Sequence, residues 1–311
     1  MIGHDQPLFE YVTTAMSTTI SVQIVGAHPN AETLAAEALD WFRVVESTCS
    51  RFDPASELSQ LCNTAPAWTT VSPLLFEVLR VALAVSHASD GAFDPTVGAA
   101  LETMGFDMHW QTGERRAPRA STPQADWRDV SLDDATGRVR LHRALQLDLG
   151  AVAKGFALDL AARAMAGVAD CCLVAGGDLL CRGTNARGRP WRTAIVHPLA
   201  TDRSAGTLEV HAPEYAICTS GGYARRTARG HHLLDPRKPG APSASALASA
   251  TVIAPQAAIA DALATAAFVL GAVDARALLE EQGVDAVLID ARGVPHLVNG
   301  WARSTFMPAS F

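Results

Sequence analysis

The sequence predicts an α+β fold of antiparallel sheets and packed helices rather than a doubly wound parallel sheet. Three observations carry this. Short strand-like runs follow one another with only turn residues between them, as at residues 130–149. Helical apolar periodicity recurs at about residues 31–45, 73–88, 152–166 and 255–282. The chain then closes on a hairpin pattern, VDAVLID, ARG, VPHLV. Strands in antiparallel runs with interspersed helices give mixed architectures with one shared core.

Taken in order, TTISVQIV (18–25) alternates as a strand. Asn30 then caps a helix whose inner face is Leu34, Ala38, Trp41 or Phe42, and Val45. The chain thus opens β then α. Ser72 and Pro73 supply a cap and a first-turn proline for a helix running to about Ala88, before Asp90-Gly91 ends it. Periodicity fails over 107–129, which reads as a surface loop or insertion. Strands are expected at Val130 to Leu132, Val139 to Leu141 and Leu145 to Leu149 as a meander. A helix from about Val152 to Ala166 and a strand at Cys171 to Ala175 come next, followed by a Gly176-Gly177-Asp178 turn. Further strands lie near Trp191 to Val196, Thr207 to Val210 and Ala216 to Thr219, then a polar loop, an apolar helix and a helix at about Asp274 to Gln282. No composition break or short repeat divides the 311 residues, so a single domain over 1–311 is expected.

Composition narrows the function classes. The chain is 49% hydrophobic and 18% charged, enough apolar material for a large core. Its net charge of −7 argues against nucleic acid as the main partner. No stretch reads as transmembrane, and the first sixteen residues lack a basic region followed by an apolar run. A cytoplasmic location follows as the expectation, with an exported mature form left open. The six cysteines show no C-x-x-C pair and no neighbouring His at ligand spacing, so reduced thiols are the default.

The segment PQAAIADALATAAFVLG (255–271) is the most informative. Ile259, Leu263, Ala266 and Leu270 form one apolar stripe, while Asp261 and Thr265 stack on nearly the opposite side. Ala258, Ala262, Phe268 and Val269 surround that pair, so both sides of the helix should be covered and Asp261 buried. A buried carboxylate needs a cation, a metal or dense hydrogen bonding, and Asp with Thr suits a hard ion such as Mg²⁺. The plainer reading is a helix N-terminal Asp satisfied by nearby backbone.

Other segments are weaker alone. DLGAVAKGFALD (148–159) places Lys154 at a helix start, where backbone amides and an ammonium suit phosphate oxygens. Its spacing is not that of a P-loop, and a capped helix with a surface lysine is the plainer alternative. GAFDPTVG (91–98) presents Asp94 before a rigid proline, which is also an ordinary turn. TSGGY (219–223) permits close approach of backbone to a ligand. RRTARGHHLLDPRK (225–238) concentrates cations in an acidic chain; of His231 and His232, which point to opposite faces if extended, at most one enters a given site.

In this order the pieces resemble the ApbE family of flavin transferases. The resemblance runs from about Met16 to Gly271 and adds S-R-F-D and S-E-L-S-x-L-x-N (Ser50 to Asn63), AGGDLLCRG, HHLLDPR and ADALATAAF. It implies an ApbE-like mixed fold and an enzyme that cleaves the pyrophosphate of FAD with Mg²⁺, moves FMN onto a Ser or Thr hydroxyl of an acceptor flavoprotein or redox subunit, and releases AMP. By position, it implies FAD contacts from Met16, Phe52, Ala92, Phe93, Asp94, Asp148, Lys154 and Leu234. It likewise implies metal binding by the Ala151 carbonyl with Asp261 and Thr265, and places His232 beside metal and phosphates, with Asp261 and His232 as the catalytic pair. Phe52 stands where the family often has Tyr, and Gly222 replaces a usual polar residue. Two alternatives share these residues: a Mg²⁺-dependent FAD pyrophosphatase giving FMN and AMP, and a flavin-binding protein without turnover.

Overall fold

The computed structural model describes residues 6–108, 112–115, 121–122, 124–238, 242–243, 245–300 and 304–309. It opens on a hairpin, β1 (Leu8–Ala15) and β2 (Thr18–Val25), reversed by Met16 and Ser17 at positive φ (51° and 65°). β1 precedes the strand expected first. It lies at a sheet edge with most of its residues in solvent, so its sequence carries little apolar alternation.

Helix α1 (Ala31–Cys49) follows Asn30 and buries Ala38, Phe42 and Val45, with Phe42 rather than Trp41 turned fully inward. A short helix α2 (Glu57–Leu61) is capped by Ser56 and leads to β3 (Trp68–Thr70). Helix α3 (Pro73–Ala88) starts as its sequence dictates: Ser72 Oγ accepts from Leu75 N–H at 3.2 Å, with Pro73 in the first turn. Asp90 (φ 45°) and Gly91 (φ 74°) turn the chain out of it, and α4 (Gly98–Thr103) follows.

The expected meander is corrected in one strand. β4 (Val130–Asp133) and β5 (Arg138–Leu141) pair, but the third member of that sheet is β3, in the order β3-β5-β4. Residues 145–149 form no strand. Leu145, Leu147 and Leu149 are buried in the core, and Gln146 makes only an isolated bridge to Val97. Of the loop expected at 107–129, residues 109–111, 116–120 and 123 lie outside the described residues. Its far end is a 3₁₀ turn (Trp127–Asp129) packed edge-on against His87, with ring centroids 5.7 Å apart.

After α5 (Ala153–Ala164) come β6 (Cys171–Ala175) and β7 (Asp178–Arg182). The strands β8 (Arg192–His197), β9 (Ala200–Val210), β10 (Glu214–Gly221), β11 (Arg226–Thr227) and β12 (Gly230–His231) follow. The stretch expected as polar loop before the apolar helix contains β13 (Leu247–Ala254). Ser249 and Thr251 are fully buried there, so a strand covered on both faces shows neither alternation nor a continuous apolar run. The chain ends with α6 (Ala257–Leu270), α7 (Ala272–Glu281), β14 (Asp285–Asp290), β15 (Pro295–Val298) and β16 (Ser304–Pro308).

One antiparallel sheet, in the order β1-β2-β6-β7-β10-β13-β14-β15, organises the molecule. Its inner residues Ile20, Val22, Leu173, Ala250 and Val252 join the main core with residues of α1, α3, α5 and α6. The alternate residues Cys172, Cys181, Tyr215 and Ile253 face a second core with Ile195 and Leu208 of β8 and β9, as the two-residue strand period requires. The mixed architecture expected from the sequence is therefore observed. Helix α6 lies against β10 and β13 and beside α5, and this sandwich buries eleven of its fourteen residues, Asp261 among them.

Candidate active site

The site is built where α5 and α6 begin side by side. A Cβ on Gly155 would lie 2.2 Å from the Ala257 carbonyl oxygen, so only glycine lets the two helix starts meet. Asp159, one turn along α5, accepts from Ala257 N–H at 2.8 Å and Ala258 N–H at 3.0 Å and so caps α6 from outside. Gly155 N–H donates to Asp261 Oδ2 at 3.1 Å. That donor is the one a regular helix directs at the Ala151 carbonyl, which among the described residues takes no backbone hydrogen bond.

Lys154 is not a surface lysine. Its Nζ lies 2.6 Å from Asp178 Oδ2 and 3.3 and 3.4 Å from the two oxygens of Asp261. Asp178 and Asp261 side chains are 4% and 6% exposed, so both carboxylates depend on this ammonium and on backbone donors. Thr219 N–H supplies the second bond to Asp178, at 3.0 Å. Burial pushes Asp261 up from the usual carboxylate range, opposed by Lys154 and aided by Asp178. Burial alone would depress Lys154, but the two carboxylates outweigh it and hold its pKa up.

The donor set fits a hard divalent cation. Asp261 offers a buried carboxylate with an ammonium already beside it, the Ala151 carbonyl is released from its helical partner, and Thr265 stands one turn beyond Asp261. The Thr265 hydroxyl is 2.9 Å from Ser220 Oγ. All three are oxygen donors, as Mg²⁺ requires.

A cleft above this junction is lined by Met16, Ser17, Arg51, Phe52, Asp148, Lys154 and Arg225 among others. Arg51 is 5% exposed; it pairs with Asp148, donates to the Phe106 carbonyl, and lies 3.6 Å from Glu102. Its guanidinium sits 4.0 Å over the Phe52 ring and fixes that ring as one wall. Asp148 also accepts from Gly150 N–H at 2.8 Å, and its own N–H bonds the Pro95 carbonyl at 2.7 Å. The 91–98 loop is docked there by Gly98, whose Cβ would stand 2.7 Å from the Gln146 carbonyl oxygen.

The structure thus brings Met16, Phe52, Asp148 and Lys154 to one cleft; Asp261 on α6 meets it through Lys154, while Ala151, just before α5, and Thr265 are not among its lining residues. Ala92, Phe93, Asp94 and Leu234 do not line it. Asp94 Oδ1 takes the N–H and hydroxyl of Thr96 at 2.8 and 2.7 Å, and its Oδ2 takes Trp127 N–H at 3.1 Å. Leu234 packs with Leu101 and Met104. His232 is also off the lining. It donates from Nδ1 to the Arg225 carbonyl at 3.3 Å and meets Phe106 edge-on, while His231 faces Phe268. Burial, reinforced by the Arg225 charge, lowers His232 to about 4.

Three polar residues of this site carry no individual signal in the sequence: Arg51, Asp178 and Arg225. The first two sit inside S-R-F-D and AGGDLLCRG, where spacing alone does not separate a site residue from its neighbours. Among the described residues, Arg225 makes no ion pair with a carboxylate, in contrast to Arg51 and Lys154.

Comparison with known proteins identifies the family and the fold. The family model described as "ApbE family" matches residues 16–288. A FAD:protein FMN transferase of Klebsiella pneumoniae is 31% identical over 295 residues, covering 89% of this chain and 83% of that protein. One from Treponema pallidum is 33% identical over 300 residues, covering 88% and 82%. The crystal structure of the ApbE protein of Thermotoga maritima superposes with a TM-score of 0.80 at 28% identity, covering 93% of this chain and 96% of that one. Among the described residues no helix is long and apolar enough to cross a membrane. With the family model spanning most of its length and the cleft, the α5–α6 junction and the sheet in place, the chain belongs to the ApbE family.

Proposed function

We propose that this protein transfers FMN from FAD to a Ser or Thr hydroxyl of an acceptor protein and releases AMP, with Mg²⁺ bound by Asp261, Thr265 and the Ala151 carbonyl. The observation that carries this reading is the juxtaposition of Lys154, Gly155 and Asp261 below an open cleft. In the reaction the acceptor oxygen bonds to the phosphorus of the FMN half, the bond from that phosphorus to the bridging oxygen breaks, AMP leaves with that oxygen, and the hydroxyl proton is lost. Such transfers need charge neutralisation and positioning more than a protein nucleophile. Bound Mg²⁺ would supply neutralisation of the pyrophosphate oxygens and of the charge growing on the leaving phosphate.

The chain's own residues supply the rest. Phe52, stiffened by Arg51, offers a flat apolar face to an isoalloxazine, and Met16 in its strained turn lies on the same cleft. Arg225 brings a cation to the rim for the pyrophosphate. Asp148 is held by Arg51 as a fixed acceptor for polar groups of the substrate. His232, neutral at pH 7, donates from Nδ1 to the Arg225 main-chain carbonyl and so holds the backbone at that residue. The acceptor is proposed to be a redox subunit or flavoprotein domain, as the resemblance to the ApbE family implies.

The test is incubation of the purified protein with FAD, Mg²⁺ and a candidate FMN-binding acceptor domain, following acceptor mass and AMP together with an EDTA control. An FMN-sized mass gain matched by AMP is the expected result. AMP with free FMN and no adduct on any acceptor would point to the pyrophosphatase, and neither product to flavin binding alone.

A further inference from the structure

Lys154 is held asymmetrically. Its ammonium is ion-paired with both carboxylates, closely with Asp178 at 2.6 Å and more loosely, at 3.3 to 3.4 Å, with Asp261, the carboxylate assigned above to the metal. Asp178 is fixed in turn: it opens β7, is 3% exposed, and receives Thr219 N–H at 3.0 Å from the neighbouring strand. Two buried carboxylates share one ammonium, so the group carries a net charge of −1. A divalent cation arriving at Asp261 turns that net charge from −1 to +1 and meets the lysine at close range, where like charges repel.

We propose that Asp178 is a positioning residue that holds the Lys154 ammonium to one side of Asp261, so that a hard divalent cation and the lysine can occupy the site together. Asp178 therefore acts on the metal through Lys154 and not as a ligand. The strand placement supports this. Asp178 approaches Lys154 from the sheet, Asp261 approaches from α6, and Lys154 itself extends from α5, so each of the three groups is fixed on a separate rigid element. With the lysine drawn to the sheet side, its bonds to Asp261 are the longer ones, and the carboxylate is held in place by Gly155 N–H on Oδ2. This inference rests on the metal reading given above.

Mn²⁺ titrated into the FAD-free protein and followed by the loss of the free-ion electron paramagnetic resonance signal separates the two. Four proteins are compared: wild type, Lys154→Met, Asp178→Asn and the double variant, each checked for folding by circular dichroism. Removing the competing ammonium is expected to tighten Mn²⁺ binding by about tenfold or more. Asp178→Asn is expected to weaken it about tenfold while Lys154 is present, because the lysine then settles on Asp261. In the Lys154→Met background the same substitution should have much less effect, a coupling that only action through the lysine produces. Equal or weaker binding by Lys154→Met would overturn the proposal, as would an equal loss from Asp178→Asn in both backgrounds, which marks a direct ligand. Absence of Mn²⁺ binding by wild type would instead remove the metal reading and this inference with it.

Discussion

Gly155 N–H donates to Asp261 Oδ2 at 3.1 Å, which makes the first turn of α5 and the second turn of α6 one structural unit. A methyl at Gly155 would lie 2.2 Å from Ala257 O and 2.7 Å from Ala258 N, both of them backbone atoms that cannot rotate away. Gly155→Ala is expected to force the helices apart and cost about 1–3 kcal/mol. Urea denaturation measures the loss, and Mn²⁺ titration of the folded fraction should show weakened binding. Wild-type stability in this variant would mean that the helices do not meet as described.

Asp159 is the counterpart of that contact, since its two oxygens hold the first two amides of α6. Capping carboxylates of this kind contribute about 1 kcal/mol, and up to about 2 in favourable cases. Asp159→Ala should lower the urea midpoint accordingly and reduce FAD turnover by less than Asp261→Asn does. Asp159→Asn keeps one acceptor oxygen and should lie between the two. A denaturation midpoint unchanged in Asp159→Ala would show that α6 gains its cap elsewhere.

At the proposed metal position the two side chains on α6 are unequal. Asp261 is an ionised, buried group tied to Lys154 and Gly155, whereas Thr265 is a neutral hydroxyl that already bonds Ser220. Asp261→Asn should lower the rate of AMP release at saturating Mg²⁺ by about 10²-fold or more, the usual cost of losing a preorganised charge. Thr265→Ala should lose far less. Equal rates for Asp261→Asn and wild type at saturating Mg²⁺ would refute the assignment.

Much of this was legible in the residues because apolar periodicity and caps report local structure. The Ser72-Pro73 start of α3 and the burial of Asp261 in an all-apolar helix are examples. What stayed hidden has a common cause. β13 is covered on both faces and uses Ser249 and Thr251 inside, while β1 is covered on hardly any, so neither shows the half-buried alternation by which strands are recognised. The 145–149 segment has alternating leucines that fill the core, yet it forms no strand: its pairing with the 95–98 loop stops at a single bridge, Val97 to Gln146. In the site, Asp178 and Arg51 gain their meaning from partners 24 and 97 residues away in sequence, Lys154 and Asp148, and spacing within a motif holds no information about such pairings.

Arg225 gives a prediction about substrate binding. It lines the cleft and makes no ion pair with a carboxylate among the described residues, so its charge is available to an anion. Arg225→Ala should raise KM for FAD roughly fivefold with little change in kcat, in line with about 1 kcal/mol for an exposed charged contact. Added salt should narrow the difference between variant and wild type by screening. A fall in kcat with KM unchanged would place Arg225 on the transition state instead of at the rim.

His232 gives a prediction about pH. Burial and the charge of Arg225 lower it to about 4 in the folded chain, against about 6.5 when unfolded. Between these two values the unfolded chain binds a proton that the folded one does not. This group therefore makes stability fall as pH drops through 6.5 towards 4, and has no effect above that window. Proton NMR of the imidazole should show a midpoint near 4, and the urea midpoint of His232→Gln should decline less than that of wild type below pH 6.5. Over pH 6 to 8 the ring stays neutral, so the rate profiles of wild type and His232→Gln should have the same shape even if their heights differ. An inflection near 6.5 that disappears in His232→Gln would show instead that the imidazole titrates in the working range and acts as a proton carrier.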